Sequence, residues 1–196
     1  GVQSFDPQAL RWLGRAHGAE DVAPAIKAAK QAGIRDLSID LIAAIGADSG
    51  VSEPDRTMRD LDRVLNDPMF EDLSHISVYT LIVEEGTPFW EMQQRGRQIA
   101  ADEEVEAETF ERIVSRLTAA GFEAYEISNF ARNGRVSNHN LAYWQCEPYL
   151  GLGPSAHSFD GRRRWAAVRD LAAYVRGLRK PEPSIWETET LDAADL

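Results

Sequence analysis

The sequence has a single cysteine, Cys146, among its 196 residues. This excludes a disulfide framework, and it excludes an iron–sulfur or cysteine-rich zinc site built from this chain alone. One thiol, without a signal-like apolar run, indicates a reducing compartment, the cytoplasm. No apolar run approaches the ~20 residues that a membrane-spanning helix needs, so we expect no membrane span.

Basic residues are also in short supply. There are 21 lysines and arginines against 32 acidic residues, which gives a net charge of −11. This balance argues against nucleic-acid partners and against charge-driven binding to an anionic membrane. An initiator methionine is missing as well, and the opening Gly1-Val2-Gln3-Ser4-Phe5 is typical of the end of a strand. We therefore expect a further region upstream.

The order of predicted elements is strand, loop, helix, repeated. Predicted strands cover residues 1–5, 37–42, 75–83, 122–130 and 149–153, and predicted helices cover 7–15, 19–32, 54–66, 101–120 and 168–178. A linker is predicted at residues 180–184. Such alternation is typical of parallel βαβ units, in which ligands bind at the carboxyl ends of the strands.

Three polar residues in the first forty positions could bind one adenosyl cofactor together. Asp40 interrupts a strand of leucine and isoleucine, and its carboxylate could accept hydrogen bonds from both hydroxyls of a ribose. Arg15 offers a planar fork for a carboxylate, and Gln3 can donate and accept at once. By spacing alone, a structural Asp–Arg pair or an exposed Arg15 explains these residues better.

The segment HNLAYW combines an imidazole, a carboxamide, a phenol and an indole. His139 could ligate heme iron, while Tyr143 and Trp144 offer flat surfaces for a macrocycle and Asn140 adds a polar group. The alternative, which physical reasoning alone favours, is a packed turn in which His139 hydrogen-bonds to the backbone.

Six motifs occur in the order typical of one family. They are GVQSFD with Arg15, then SIDLI, EEGTPF, YEISNFAR, HNLAYW and YLGLGPSAHSF. Over residues 1–160 the sequence resembles the radical-SAM oxygen-independent coproporphyrinogen III oxidases. The HNxxYW and AHS features resemble the heme-chaperone (HemW-type) branch of that family rather than the strict oxidases.

The resemblance implies an α/β fold, a partial (β/α)6, three-quarter TIM-like barrel with a parallel sheet. Residues 1–180 would form the C-terminal portion of the barrel with its following strands and helix. Residues 181–196 would be a linker and the start of a C-terminal helical domain. A 4Fe-4S cluster would be held by a CxxxCxxC loop before Gly1, with no metal ligand in this chain. We therefore expect these 196 residues alone to be inactive.

The same resemblance implies roles for the site residues. Gln3, Arg15 and Asp40 match positions that contact S-adenosylmethionine. His139, Asn140, Tyr143 and Trp144 match a motif suspected of handling heme. The implied function is a heme-binding chaperone for a heme-receiving apoprotein. The alternatives are oxidative decarboxylation of coproporphyrinogen III and an unrelated barrel enzyme.

Two departures from the family pattern concern loops. AAIGADSG (43–50) replaces a GLPGQT-like loop after SIDLI, which puts the setting of Asp40 in question. Pro154 and Ser155 stand where small residues are typical.

Overall fold

Helices and strands alternate through the computed structural model, which describes residues 1–178 and 185–191. The helices are α1 Pro7–Trp12, α2 Val22–Gln31, α3 Asp55–Asn66, α4 Pro88–Gln94, α5 Glu103–Ala119, α6 Asn138–Trp144 and α7 Leu171–Gly177. The strands are β1 Ser38–Ala43, β2 His75–Thr80, β3 Glu123–Ala124, β4 Asn129–Ala131, β5 His157–Phe159, β6 Arg163–Ala167 and β7 Ile185–Thr190. The chain divides into two units, residues 1–136 and 137–196.

The first unit contains a four-stranded mixed sheet in the order β1-β2-β4-β3. Strands β1 and β2 run parallel, as the helical connection between them requires, and β4 pairs antiparallel with both β2 and β3. A single parallel bridge joins Gln3 to Leu41 at the outer side of β1. The prediction of a purely parallel sheet is therefore wrong.

One face of this sheet packs against helices. Alternate residues of β1, namely Ile39, Leu41 and Ala43, are buried. They belong to one core with Ile76 and Val78 of β2, Phe130 of β4, Leu61 and Val64 of α3, and Ile113 and Leu117 of α5. Full burial of such a side chain contributes about 1.5–3 kcal/mol, so this face supplies most of the driving force for folding the unit.

The opposite face of the sheet carries polar side chains. We define the polar face as Ser38, Asp40, His75, Ser77 and Asn129. The register places Ser38 beside His75, and Asp40 beside Ser77, which is in turn beside Asn129. Because side chains alternate along a strand, these residues share the side away from the helices.

Residues 137–196 contain a separate antiparallel sheet in the order β5-β6-β7, together with α6 and α7. Tyr149 forms an isolated antiparallel bridge with Phe159. None of the helices in the described part of the chain is long and apolar enough to cross a bilayer.

The five predicted helices are confirmed with shorter bounds, but three predicted strands are not. Residues 122–130 form the β3–β4 hairpin, because Tyr125 N bonds back to Asn129 O and the Glu126 carboxylate accepts from Ser128 N. Residues 1–5 make only the Gln3 bridge, since the left-handed Gln3 (φ 67°) ends the extended conformation. Residues 149–153 make only the Tyr149 bridge before Gly153 turns at φ 114°.

Two differences concern the last third of the chain. HNLAYW lies on helix α6, not in a turn, because the Ser137 hydroxyl accepts from Asn140 N and caps the helix. Ile185–Thr190 pairs with β6 as a strand, where we expected the start of a helical domain. The predicted linker at 180–184 and the predicted boundary after residue 180 lie outside the described residues.

Candidate functional site

Gln3 and Asp40 lie side by side at the edge of the first sheet. Gln3 N donates to Asp40 O at 2.7 Å, and Ile42 N donates to Gln3 O at 2.8 Å. Their side chains also converge. Gln3 Nε2 and Asp40 Oδ2 lie 2.0 and 3.0 Å from one point, the position that a Cβ on Gly1 would take.

The Asp40 carboxylate is available to a ligand. Its side chain is 42% exposed, and its recorded ion pair is with the amino group of Gly1 at 3.9 Å. Among the described residues no side chain hydrogen-bonds to it. A carboxylate and a carboxamide that face one space can accept from a diol and donate to a ring nitrogen or oxygen.

Arg15 does not join this pair directly. It is exposed and follows α1, where its backbone N donates to Leu10 O at 2.9 Å. Its guanidinium has no ion pair among the described residues, so the structural Asp–Arg pair is not formed. The segment that carries it is nevertheless close to Gln3, because His17 Nε2 lies 3.1 Å from Val2 O.

A hydrogen-bonded chain crosses the polar face beside Asp40. The Nδ1 of His75 lies 2.7 Å from the Ser38 hydroxyl, and its Nε2 lies 2.8 Å from the Tyr125 hydroxyl. The imidazole is therefore held at both nitrogens. Burial lowers the pKa of His75 below its ordinary 6.5, and the carboxylates of Asp40 and Glu126 partly oppose that shift.

A second bond on the same face joins two strands. The Ser77 hydroxyl donates to Asn129 Oδ1 at 2.5 Å, and both residues are buried. Neither His75 nor Ser77 is among the candidates that the sequence singles out. The alternation of His75, Ser77 and Tyr79 with Ile76 and Val78 was the signal that these residues share a face.

In the second unit, helix α6 carries the four residues predicted to handle heme. His139 and Tyr143, one turn apart, have perpendicular rings with centroids at 4.9 Å. The Tyr143 hydroxyl lies 3.1 Å from His139 Nε2, so the recorded partner of the imidazole is this phenol and not the backbone. Both residues are exposed, as is Trp144 at 54%.

Asn140, on the same helix, has an unsatisfied donor. Its Nδ2 is buried and has no hydrogen-bond partner among the described residues. A buried amide donor without an acceptor is unfavourable, and a carboxylate ligand could supply that acceptor. Across residues 1–178 and 185–191, no group of three or more His, Cys, Asp or Glu side chains is arranged to hold a metal ion.

The chain matches no protein-family model. It is similar to curated proteins, however. It is 37% identical over 175 residues to heme chaperone HemW of Bacillus subtilis, a match that covers 89% of this chain and 44% of that protein. It is 36% identical over 197 residues to radical S-adenosyl methionine domain-containing protein 1, mitochondrial, of Bos taurus, covering 97% of this chain and 40% of that protein.

A solved structure has the same fold. Coproporphyrinogen III oxidase (HemN) from Escherichia coli, a radical SAM enzyme, matches all of this chain and 46% of that one, with a TM-score of 0.74 at 20% identity. The chain thus spans less than half the length of the curated relatives and of the solved structure that it matches.

Proposed function

We propose that this chain, which belongs to the HemW-type radical SAM family, is part of a heme-binding chaperone that uses S-adenosylmethionine and a 4Fe-4S cluster. The observation that carries the proposal is the convergence of Gln3 and Asp40 at one edge of the sheet. By the family resemblance these two residues would contact the cofactor, and the approach of their side chains supports the proposal.

We further propose that the sheet of residues 1–136 is a segment of a partial (β/α)6 barrel. The fold shared with the coproporphyrinogen III oxidase structure supports this. In such a barrel the helix-free polar face would line the interior. On this view residues 1–180 are the C-terminal portion of the barrel with its following strands and helix.

The residues of the first unit fit an adenosyl cofactor. Asp40 would accept from the ribose hydroxyls, Gln3 would complete the polar contacts, and Arg15 would turn toward the cofactor's carboxylate from its exposed loop. The cluster ligands would come from outside this chain. When bound, S-adenosylmethionine supplies radical chemistry at the cluster, and the part of this chain is to place it.

Helix α6 would hold heme. His139 is exposed and could ligate iron, Tyr143 and Trp144 could lie against the macrocycle, and Asn140 Nδ2 could donate to a heme propionate. The partner of such a protein would be a heme-receiving apoprotein. A reducing compartment, the cytoplasm, suits a chain whose single cysteine is free.

Binding of the adenosyl cofactor is tested on the complete protein with its cluster reconstituted. Asp40→Asn keeps the shape but removes the charge, so we expect S-adenosylmethionine to bind about tenfold more weakly or worse by equilibrium dialysis. Asp72→Asn is the control, since Asp72 is exposed and its recorded ion pair is with Lys30. Unchanged affinity in Asp40→Asn would contradict the cofactor role.

Heme binding is tested separately. Titration with heme, followed by visible absorbance, should show weaker binding in His139→Ala than in the unaltered protein. Stable heme capture without turnover of coproporphyrinogen III supports the chaperone. Turnover without heme capture supports the oxidase instead.

A further inference from the structure

Two residues beside strand β1 have left-handed backbone without being glycine. Gln3, which bridges Leu41, has φ 67°, and Ala44, directly after the last residue of β1, has φ 55°. A Cβ is crowded in this region, so a residue persists there only where its surroundings hold it. Each of the two positions therefore needs a local restraint. Asp60 of α3 restrains the chain after Gln3, and Glu53, which precedes α3, restrains the chain after Ala44.

Asp60 of α3 holds the chain directly after Gln3. Its Oδ2 accepts from the Ser4 hydroxyl at 2.6 Å, and its Oδ1 accepts from Phe5 N at 2.9 Å. Ser4 is fully buried and Asp60 is 3% exposed. Both carboxylate oxygens are therefore used to fix the two residues that follow the left-handed position.

Glu53 holds the chain directly after Ala44. Its Oε1 accepts from Ile45 N at 3.4 Å. Its Oε2 accepts from both the backbone N and the hydroxyl of Thr57, at 3.2 and 2.8 Å, which ties Glu53 to α3. Glu53 thus links Ile45, near the start of the substituted loop, to α3.

Arg56 joins the two carboxylates. Its Nη1 donates to Asp60 Oδ2 at 2.9 Å, its Nη2 donates to Glu53, and its side chain is 1% exposed. We call Glu53, Arg56 and Asp60 the buried triad. Two buried carboxylates share one guanidinium, so neither can lose its partner without leaving a charge unpaired away from water.

We propose that the buried triad is a positioning device for the adenosyl cofactor. It clamps the chain after Gln3 on one side of β1 and after Ala44 at its end, and so fixes Gln3 against Asp40 without touching the ligand. This inference rests on the proposed cofactor site. It assigns to Glu53, Arg56 and Asp60 an influence on cofactor affinity that acts through the backbone.

The test measures the Kd for S-adenosylmethionine in the complete protein with its cluster reconstituted. Glu53→Gln and Asp60→Asn should each bind about tenfold more weakly. Ala44→Gly, added to Glu53→Gln, should recover most of the lost affinity, because glycine adopts φ near 55° without Cβ crowding.

Leu117→Ala is the matched control. Leu117 is fully buried on α5 and contacts neither clamped segment through a polar group, so its replacement destabilises the fold but should leave the Kd unchanged. If Glu53→Gln and Asp60→Asn bind S-adenosylmethionine with the wild-type Kd while Asp40→Asn binds it more weakly, only the positioning role is overturned. Wild-type Kd in Asp40→Asn overturns the proposed cofactor site, and this inference with it.

If the charge-changing variants do not fold, Ser4→Ala decides the question. It removes one hydrogen bond to Asp60 and no charge. We expect Ser4→Ala to raise the Kd for S-adenosylmethionine measurably while it holds as much cluster as the unaltered protein. An unchanged Kd in Ser4→Ala overturns the inference.

Discussion

The hydroxyl oxygen of Tyr125 lies 2.8 Å from Nε2 of His75, and this contact ties the β3–β4 hairpin to strand β2. The other ring nitrogen is held by Ser38 at 2.7 Å. A neutral imidazole has one donor and one acceptor, which two hydroxyl partners can satisfy, and a protonated imidazole has two donors. Burial lowers the pKa of His75 and so favours the uncharged ring, which these two hydroxyls can satisfy.

The neutral state of His75 predicts a pH dependence of stability. Because burial lowers its pKa below 6.5 in the folded chain, the unfolded chain binds more protons between that lowered value and 6.5. The free energy of unfolding should hence rise with pH through this window. Stability present above pH 6.5 is lost as the pH falls below it, and the loss levels off below the folded-state pKa.

Urea unfolding at several pH values measures this slope, with His75→Asn as the comparison. Asparagine can also donate and accept but does not titrate in this range. The variant should lose the part of the slope between pH 6.5 and the lowered pKa. An identical slope in both proteins would assign the pH dependence to other groups.

Replacing Ser77 should destabilise the first unit. Ser77→Ala removes the hydroxyl that donates to Asn129 Oδ1 and leaves that buried oxygen without its partner. The expected cost is about 1–3 kcal/mol, measured by urea unfolding. Ser115→Ala on the exposed side of α5 is the control and should stay within about 0.5 kcal/mol of the unaltered chain.

The apolar face gives a larger expected effect. Ile76 is fully buried in the centre of the sheet, so Ile76→Ala should cost about 2–5 kcal/mol of unfolding free energy. Ile127, in the hairpin turn, is 66% exposed, and Ile127→Ala should be nearly neutral. Similar losses for the two isoleucines in urea unfolding would contradict the assignment of buried and exposed faces.

Tyr143 should compete with heme iron for His139. Its hydroxyl occupies Nε2 of the imidazole at 3.1 Å, and such a bond contributes about 0.5–1.5 kcal/mol. If iron binds Nε2, Tyr143→Phe should strengthen heme binding by about two- to tenfold in an absorbance titration. Weaker binding in Tyr143→Phe, alongside a loss in His139→Ala, would instead make the phenol part of the heme site.

The sequence reasoning succeeded where local patterns decide the structure. Strand β1 was predicted from the alternation of Leu37, Ile39 and Leu41, and α5 from its apolar stripe, its acidic first turns and the Gly121 that follows. Gln3, Arg15 and Asp40 were predicted together from a family motif. Gln3 and Asp40 lie side by side in the structure, and the cofactor role of all three stays a prediction.

It failed where long-range pairing decides. Nothing local in residues 122–130 reveals that β4 runs antiparallel to β2, since strand direction depends on pairing with a distant segment, here Ser77 with Asn129. The buried triad was missed for a similar reason. In the sequence, Arg56 and Asp60 resemble ordinary charges of an exposed helix, and Glu53 resembles a loop charge before it. The structure differs because the Ser4 hydroxyl and Phe5 N donate hydrogen bonds to Asp60.

Strand β3, only two residues long, forms one outer border of the first sheet. Its partner β4 is three residues long and lies between β3 and β2. A border this short offers few free backbone groups to a foreign strand, although the neighbouring strands are apolar on one face. The hairpin thus protects the sheet at this border against self-association into larger aggregates.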